Sequence, residues 1–88
     1  MHQTYIIYSA GTDTYYVGST SVGVEKRLER HNEGWSRSTK FGRPWVIKYI
    51  KSFDTKSEAL KWENHIKRQK SRVYIEELIN SEENEHKE

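Results

Sequence analysis

The chain has 88 residues, a formal net charge of +2 and no cysteine. That length holds one small domain, and without cysteine there is no disulfide framework, no cysteine zinc site and no thiol nucleophile. Hydrophobic residues are only 33%, but they include six Tyr, three Trp and two Phe, and large rings fill a core with few residues.

Residues 4–9 and 14–20 are rich in Tyr, Ile, Val and Thr, with Ala10-Gly11-Thr12-Asp13 between them, which predicts a β-hairpin. Alternation puts Tyr5 and Ile7 on one face, Ile6 and Tyr8 on the other, and Tyr16, Gly18 and Thr20 together on the second strand. Gly18 leaves space beside Tyr16. Residues 22–33 predict a helix: Val24, Leu28 and His31 follow i, i+4, i+7, and Gly34 stops it. Residues 34–44 form a polar, basic loop, and Pro44 precedes a third strand over 45–53. Thr55-Lys56-Ser57-Glu58 is a capping box that opens a helix running to about residue 70. Ala59, Glu63 and Ile66 share one stripe of that helix, so a carboxylate stands where the pattern wants an apolar side chain. A last helix covers 72–80, anchored by Val73, Ile75, Leu78 and Ile79. The order strand-strand-helix-strand-helix-helix predicts an α+β fold, a three-stranded antiparallel sheet flanked by helices. Residues 1–80 form the single domain, and the charged tail 81–88 is expected to be disordered.

No apolar run nears the roughly 20 residues of a membrane span, and Met1-His2-Gln3-Thr4 lacks the features of a signal peptide. A cytoplasmic location and no membrane partner are the expectations. Charge is uneven. Glu82, Glu83, Glu85 and Glu88 against Lys87 leave the tail acidic, while the preceding residues carry 14 basic and 9 acidic groups. Arg37, Lys40, Arg43, Lys48 and Lys51 form one basic cluster, and Lys67, Arg68, Lys70 and Arg72 another. Such clusters on a small domain suggest a polyanion partner, solvated helix faces being the plainer alternative. Arg27 and His31 are i, i+4 neighbours, so their heads can converge. Two phenols, a guanidinium, an imidazole and one carboxylate can make a metal-assisted phosphodiester-cleaving site. Each has a structural rival: strand tyrosines pack, Arg27 is a surface charge, His31 closes the core edge of its helix, and Glu63 pairs with Lys67 one turn on.

Gln3-Thr4-Tyr5, Tyr16-Val17-Gly18, Lys26-Arg27-Leu28 with His31-Asn32, and Ser57-Glu58-Ala59-Leu60 through Glu63 and Ile66-Lys67 occur in that order. Together they resemble the GIY-YIG nuclease superfamily over residues 3–80, most closely its small stand-alone members. Gln3 and Thr4 replace the Gly and Ile of the first motif, and Val17 replaces the Ile of the second. The resemblance implies a GIY-YIG-like fold and a divalent-metal-dependent endonuclease hydrolysing DNA phosphodiester bonds, selective for DNA structure, in repair or recombination.

By position, the resemblance implies that Glu63 ligates Mg²⁺ or Mn²⁺, which with one carboxylate would complete its shell with waters and phosphate oxygens. It implies Tyr5 as general base with Tyr16 as hydrogen-bonding partner, the two roles being exchangeable. Arg27 would clamp phosphate oxygens, and His31 would orient water or contact phosphate. Arg37, Lys40, Arg43, Lys67 and Lys70 are expected nucleic-acid contacts. Trp35 would stack on a base or pack over the helix end, and Asn80 is a further candidate near the metal. The partner is duplex or branched DNA, with RNA open as a second substrate, and the protein acts as a monomer or weak homodimer. Two other readings carry different predictions: a catalytically inactive nucleic-acid-binding module of the same fold, which binds salt-dependently without cutting, and a protein-interaction module whose basic clusters meet an acidic partner.

Overall fold

The computed structural model describes residues 1–86 apart from Ser36 and Ser38. Strand β1 (His2–Ser9) and strand β2 (Thr14–Thr20) form the hairpin. Helix α1 (Val24–Asn32) follows, then a 3₁₀ turn at Lys40–Gly42, strand β3 (Trp45–Phe53), helix α2 (Lys56–Gln69) and helix α3 (Arg72–Ile79). The sheet is antiparallel throughout, in the order β2-β1-β3. The α+β order and the three-stranded antiparallel sheet are those the sequence predicts.

Alternation along β1 divides the core. Tyr5 and Ile7 point to the face covered by α1, where they pack with Val24 and Trp45. Ile6 points to the face covered by α2 and α3, where it packs with Val17, Tyr49, Ile66 and Leu78. Fully burying one such aliphatic side chain stabilises the fold by about 1.5–3 kcal/mol. The α1 stripe faces the sheet as its spacing predicts, with Val24 and His31 buried and Leu28 partly so. On α2, Ala59 and Ile66 are buried. The Thr55 hydroxyl accepts from Glu58 N–H at 3.2 Å and donates to the Glu58 carboxylate at 3.0 Å, so the capping-box pair closes through the two side chains.

Two details depart from the sequence reading. Helix α1 starts at Val24 rather than at 22, because Gly23 adopts φ 101°, ψ 141°, a conformation outside the helix that glycine tolerates best. The tail is not free. Asn84 is 5% exposed; its amide donates to the carbonyls of Lys48 and Ile79, both at 2.8 Å, and its Oδ1 accepts from Ile50 N–H at 3.2 Å. Glu85 N–H donates to the Ile50 carbonyl at 2.9 Å, and the Glu85 carboxylate takes the N–H and hydroxyl of Ser52. Residues 84 and 85 therefore satisfy backbone groups on the outer edge of β3, which an edge strand otherwise leaves unpaired. Residues 81–86 follow α3 without regular helix or strand, with Asn84 and Glu85 bonded to β3; Lys87 and Glu88 lie outside the described residues. Among the described residues no helix is long and apolar enough to cross a membrane.

Candidate active site at the β2 edge

The register pairs Tyr5 with Gly18, and this pairing creates the site. A Cβ on Gly18 would lie 2.6 Å from the Tyr5 hydroxyl and 2.7 Å from its Cζ, so the Tyr5 ring occupies the space that glycine leaves. The sequence assigns that space to Tyr16; the cross-strand neighbour fills it instead. The ring is 1% exposed, and its hydroxyl meets His31 Nε2 at 2.9 Å. Nδ1 of the same imidazole meets the Thr39 hydroxyl at 2.9 Å. Both tautomers of the neutral ring close this chain of hydrogen bonds: Tyr5 donates and His31 passes the donation to Thr39, or the direction runs the other way.

Burial, and then the charge of Arg27, hold the His31 pKa below its ordinary 6.5, so the ring is neutral at pH 7. Burial raises the Tyr5 pKa above 10; Arg27 opposes the shift, while Tyr16 and Glu63 add to it. Tyr5 is thus a protonated phenol at neutral pH, beside a neutral imidazole that can accept its proton. Tyr16 was expected to hydrogen-bond Tyr5. Its register position, opposite Ile7, instead sets its ring edgewise against His31 at 5.1 Å and Trp45 at 6.3 Å. Arg27, one turn before His31, is half-buried, and its Nε is buried without a hydrogen-bond partner. An unsatisfied buried donor costs about 1–3 kcal/mol, a cost that an anion arriving beside it would relieve.

Glu63 comes from the opposite layer. Ser19, next to Gly18, projects to the α2 face and donates to Glu63 Oε1 at 2.7 Å. Lys67 donates to Oε2 at 2.6 Å, the Glu63 side chain being 13% exposed and that of Lys67 48%. Gly18 therefore lies between the phenol on one face and the carboxylate on the other. Because β2 is the edge strand, the two layers meet beside it. Among the described residues no group of three or more His, Cys, Asp or Glu could hold a metal. The donor set fits a hard cation only as one carboxylate completed by water and phosphate oxygens, the habit of Mg²⁺.

The structure brings Tyr5, Tyr16, Arg27 and His31 together and sets Glu63 close enough to act on the Tyr5 pKa. It does not gather the basic residues named from sequence. Lys67 is engaged by Glu63. Lys40 lies 6.0 Å over the Phe41 ring, Arg43 donates from Nε to the Lys40 carbonyl, Arg37 is exposed, and Lys70 ends α2 at φ 47°. Asn80 donates to the Glu76 carbonyl within its own helix, and Trp35 is 70% exposed under Arg30. A cleft of about 270 Å³ opens beside Ser19, with Arg27, Arg30 and Lys56 on its walls.

Thr39, Ser19, Arg30 and Lys56 were not singled out from sequence. A hydroxyl in a polar loop carries no signal, and a lysine at a helix start reads as a solvated charge. Gln3 and Thr4, the departures from the first motif, act as braces. Gln3 Oε1 accepts from Val24 N–H at 3.2 Å at the start of α1, and the Thr4 hydroxyl donates to the Ala59 carbonyl of α2 at 2.7 Å. The strand bearing Tyr5 is thereby tied to the helices bearing Arg27 and Glu63.

A family model described as the GIY-YIG catalytic domain matches residues 1–80. UPF0213 protein VNG_2274C of Halobacterium salinarum is 40% identical over 80 residues, 90% of this chain and 100% of its own. UPF0213 protein YazA of Bacillus subtilis is 39% identical over 75 residues, 81% of this chain and 75% of its own. UPF0213 protein SSP2268 of Staphylococcus saprophyticus is 41% identical over 80 residues, 86% of this chain and 95% of its own. These names assign no activity. No solved structure matches.

Proposed function

This chain belongs to the GIY-YIG family, whose catalytic domain is that of a nuclease, and from that premise we propose that it is a divalent-metal-dependent endonuclease cutting DNA phosphodiester bonds. The observation that carries the reading is the Tyr5–His31 hydrogen bond at 2.9 Å, set beside the half-buried Arg27 with its buried, unpaired Nε.

Tyr5 takes a proton from the attacking water as its own hydroxyl proton passes to His31 Nε2. The water oxygen bonds to phosphorus, and the bond from phosphorus to the leaving strand oxygen breaks. A phenol of raised pKa is a poor base alone, and the imidazole behind it removes the need for a standing phenolate. Thr39 holds the imidazole from its far side, and Tyr16 fixes its plane. Arg27 receives the non-bridging oxygens and the charge that builds on them. Glu63, oriented by Ser19, would hold Mg²⁺ or Mn²⁺ once Lys67 swings aside, and the ion would polarise the phosphate and neutralise the leaving oxygen.

So small a domain has little surface for reading bases, which favours a substrate chosen by shape: duplex or branched DNA, in repair or recombination, with the protein a cytoplasmic monomer or weak homodimer. A panel of labelled single-stranded, duplex, nicked, flap and branched DNAs, with an RNA strand alongside, tests this. Cutting is expected with Mg²⁺ or Mn²⁺, and is lost with EDTA and in Glu63→Ala. Salt-dependent binding with no cutting of any substrate under either metal would overturn the catalytic reading and leave a binding module.

A further inference from the structure

The cleft beside Ser19 has a use that the reacting residues do not exhaust. Arg27 and Arg30 reach it from α1, Lys56 from the first turn of α2, and His2 and Ser21 stand at the end of the hairpin strands; among the described residues no acidic one lines it. Among the described residues neither Arg30 nor Lys56 forms an ion pair, and Arg30 instead stacks on Trp35 at 5.0 Å. Like charges facing one concavity repel, and an anion in it relieves the repulsion while the low-dielectric walls focus the field upon it.

The position of the cleft identifies the anion. Ser19 is wall to the cleft and donor to Glu63. Arg27 is wall to the cleft and neighbour to Tyr5. An anion at Arg30 and Lys56 therefore sits beside the reacting phosphate. We infer that this cleft holds the backbone phosphate adjoining the cleaved one, with Arg30 and Lys56 as its positioning residues. The inference rests on the nuclease reading above. Phosphate contacts of this kind fix the register of a strand without reading its sequence, which suits a protein that selects shape.

The test measures binding apart from cutting. Affinity for a labelled DNA duplex, in EDTA, is followed by fluorescence anisotropy between 50 and 200 mM NaCl, ranges over which phosphate contacts are strongly salt-sensitive. Wild type is compared with Arg30→Gln, Lys56→Gln and their double variant. Lys61→Gln, whose side chain lines a separate groove on the outer face of α2, is the control. Each cleft substitution is expected to lower the slope of log K against log salt by roughly 0.9, the double by both, and Lys61→Gln to leave it unchanged. Lys56 is exposed, so its variant is expected to fold even if Arg30→Gln disturbs Trp35. Wild-type slopes in the cleft variants, or no DNA binding at the lowest salt, overturn the inference. Lower slopes in a protein that cuts nothing would retain the cleft and defeat the nuclease reading; unchanged slopes in a protein that cuts would do the reverse.

Discussion

Tyr5 and Gly18 behave as one unit. Any side chain at 18 meets the phenol at 2.6 Å, and the buried ring must move. Gly18→Ala is expected to break the Tyr5–His31 bond and to cost about 1–3 kcal/mol through overpacking, with cleavage falling further than a Tm measurement alone would suggest. Retained activity in a soluble Gly18→Ala variant would contradict this. His31 carries a second expectation. Its folded pKa lies below 6.5, so between that folded value and 6.5 the unfolded chain binds more protons than the native one. Stability should therefore be full above pH 6.5 and decline as pH falls through the window below it. Thermal melts from pH 7.5 to 5 should show that decline in wild type, and His31→Gln should lack its His31-dependent part. A cleavage rate that needs neutral His31 should hold through that window and fall only as pH passes through the lower, folded value. The Arg27–His31 pairing is legible in the sequence from helical spacing, whereas strand alternation puts Tyr5 on a face without saying which helix covers it, so Tyr5 joins them only through the family resemblance. Thr39 and Ser19 were not legible, because each reaches its partner through tertiary contact that no local period records.

At the scale of elements, propensity and tertiary bracing divide the work. Helix α2 is written into the sequence by its capping box and its Ala59–Ile66 stripe. Thr55→Ala removes the hydroxyl that accepts from Glu58 N–H and should cost about 1 kcal/mol. In a domain of this size that lowers Tm by roughly 4–8 °C; since Thr55 is exposed and bonds none of Tyr5, Tyr16, Arg27, His31 or Glu63, the chemical step measured on saturating DNA below the transition should be unchanged. An unchanged Tm would mean that packing alone sets where the helix starts. Helix α1 has no such side-chain cap. It starts after a glycine of positive φ and takes its cap from Gln3 on another strand, which is why its first residue could not be read locally. The same long-range bond ties β1 to the start of α1 through one of the residues that depart from the first motif.

Across the molecule, the two edges of the sheet are treated differently. The outer edge of β3 is covered by the tail, whereas β2 lies beside the junction of the two helical layers and bears the candidate site. The tail's role was hidden because its composition is that of a disordered segment, while its hold on the sheet comes from Asn84 and Glu85 bonding backbone groups of β3. Asn84→Ala removes four hydrogen bonds, to Lys48, Ile50, Ile79 and His86, and should destabilise the fold by about 1–3 kcal/mol, read as a lower midpoint in urea; a wild-type midpoint would return the tail to the disordered class. In the proposed reaction the phenol held against His31 activates the attacking water. Single-turnover cleavage of a saturating labelled DNA by wild type and Tyr5→Phe, in Mg²⁺ and in Mn²⁺, tests it most directly. Tyr5→Phe is expected to bind the DNA as wild type does and to cut it about 10²–10⁴ times more slowly. Equal rates in the two proteins would contradict it.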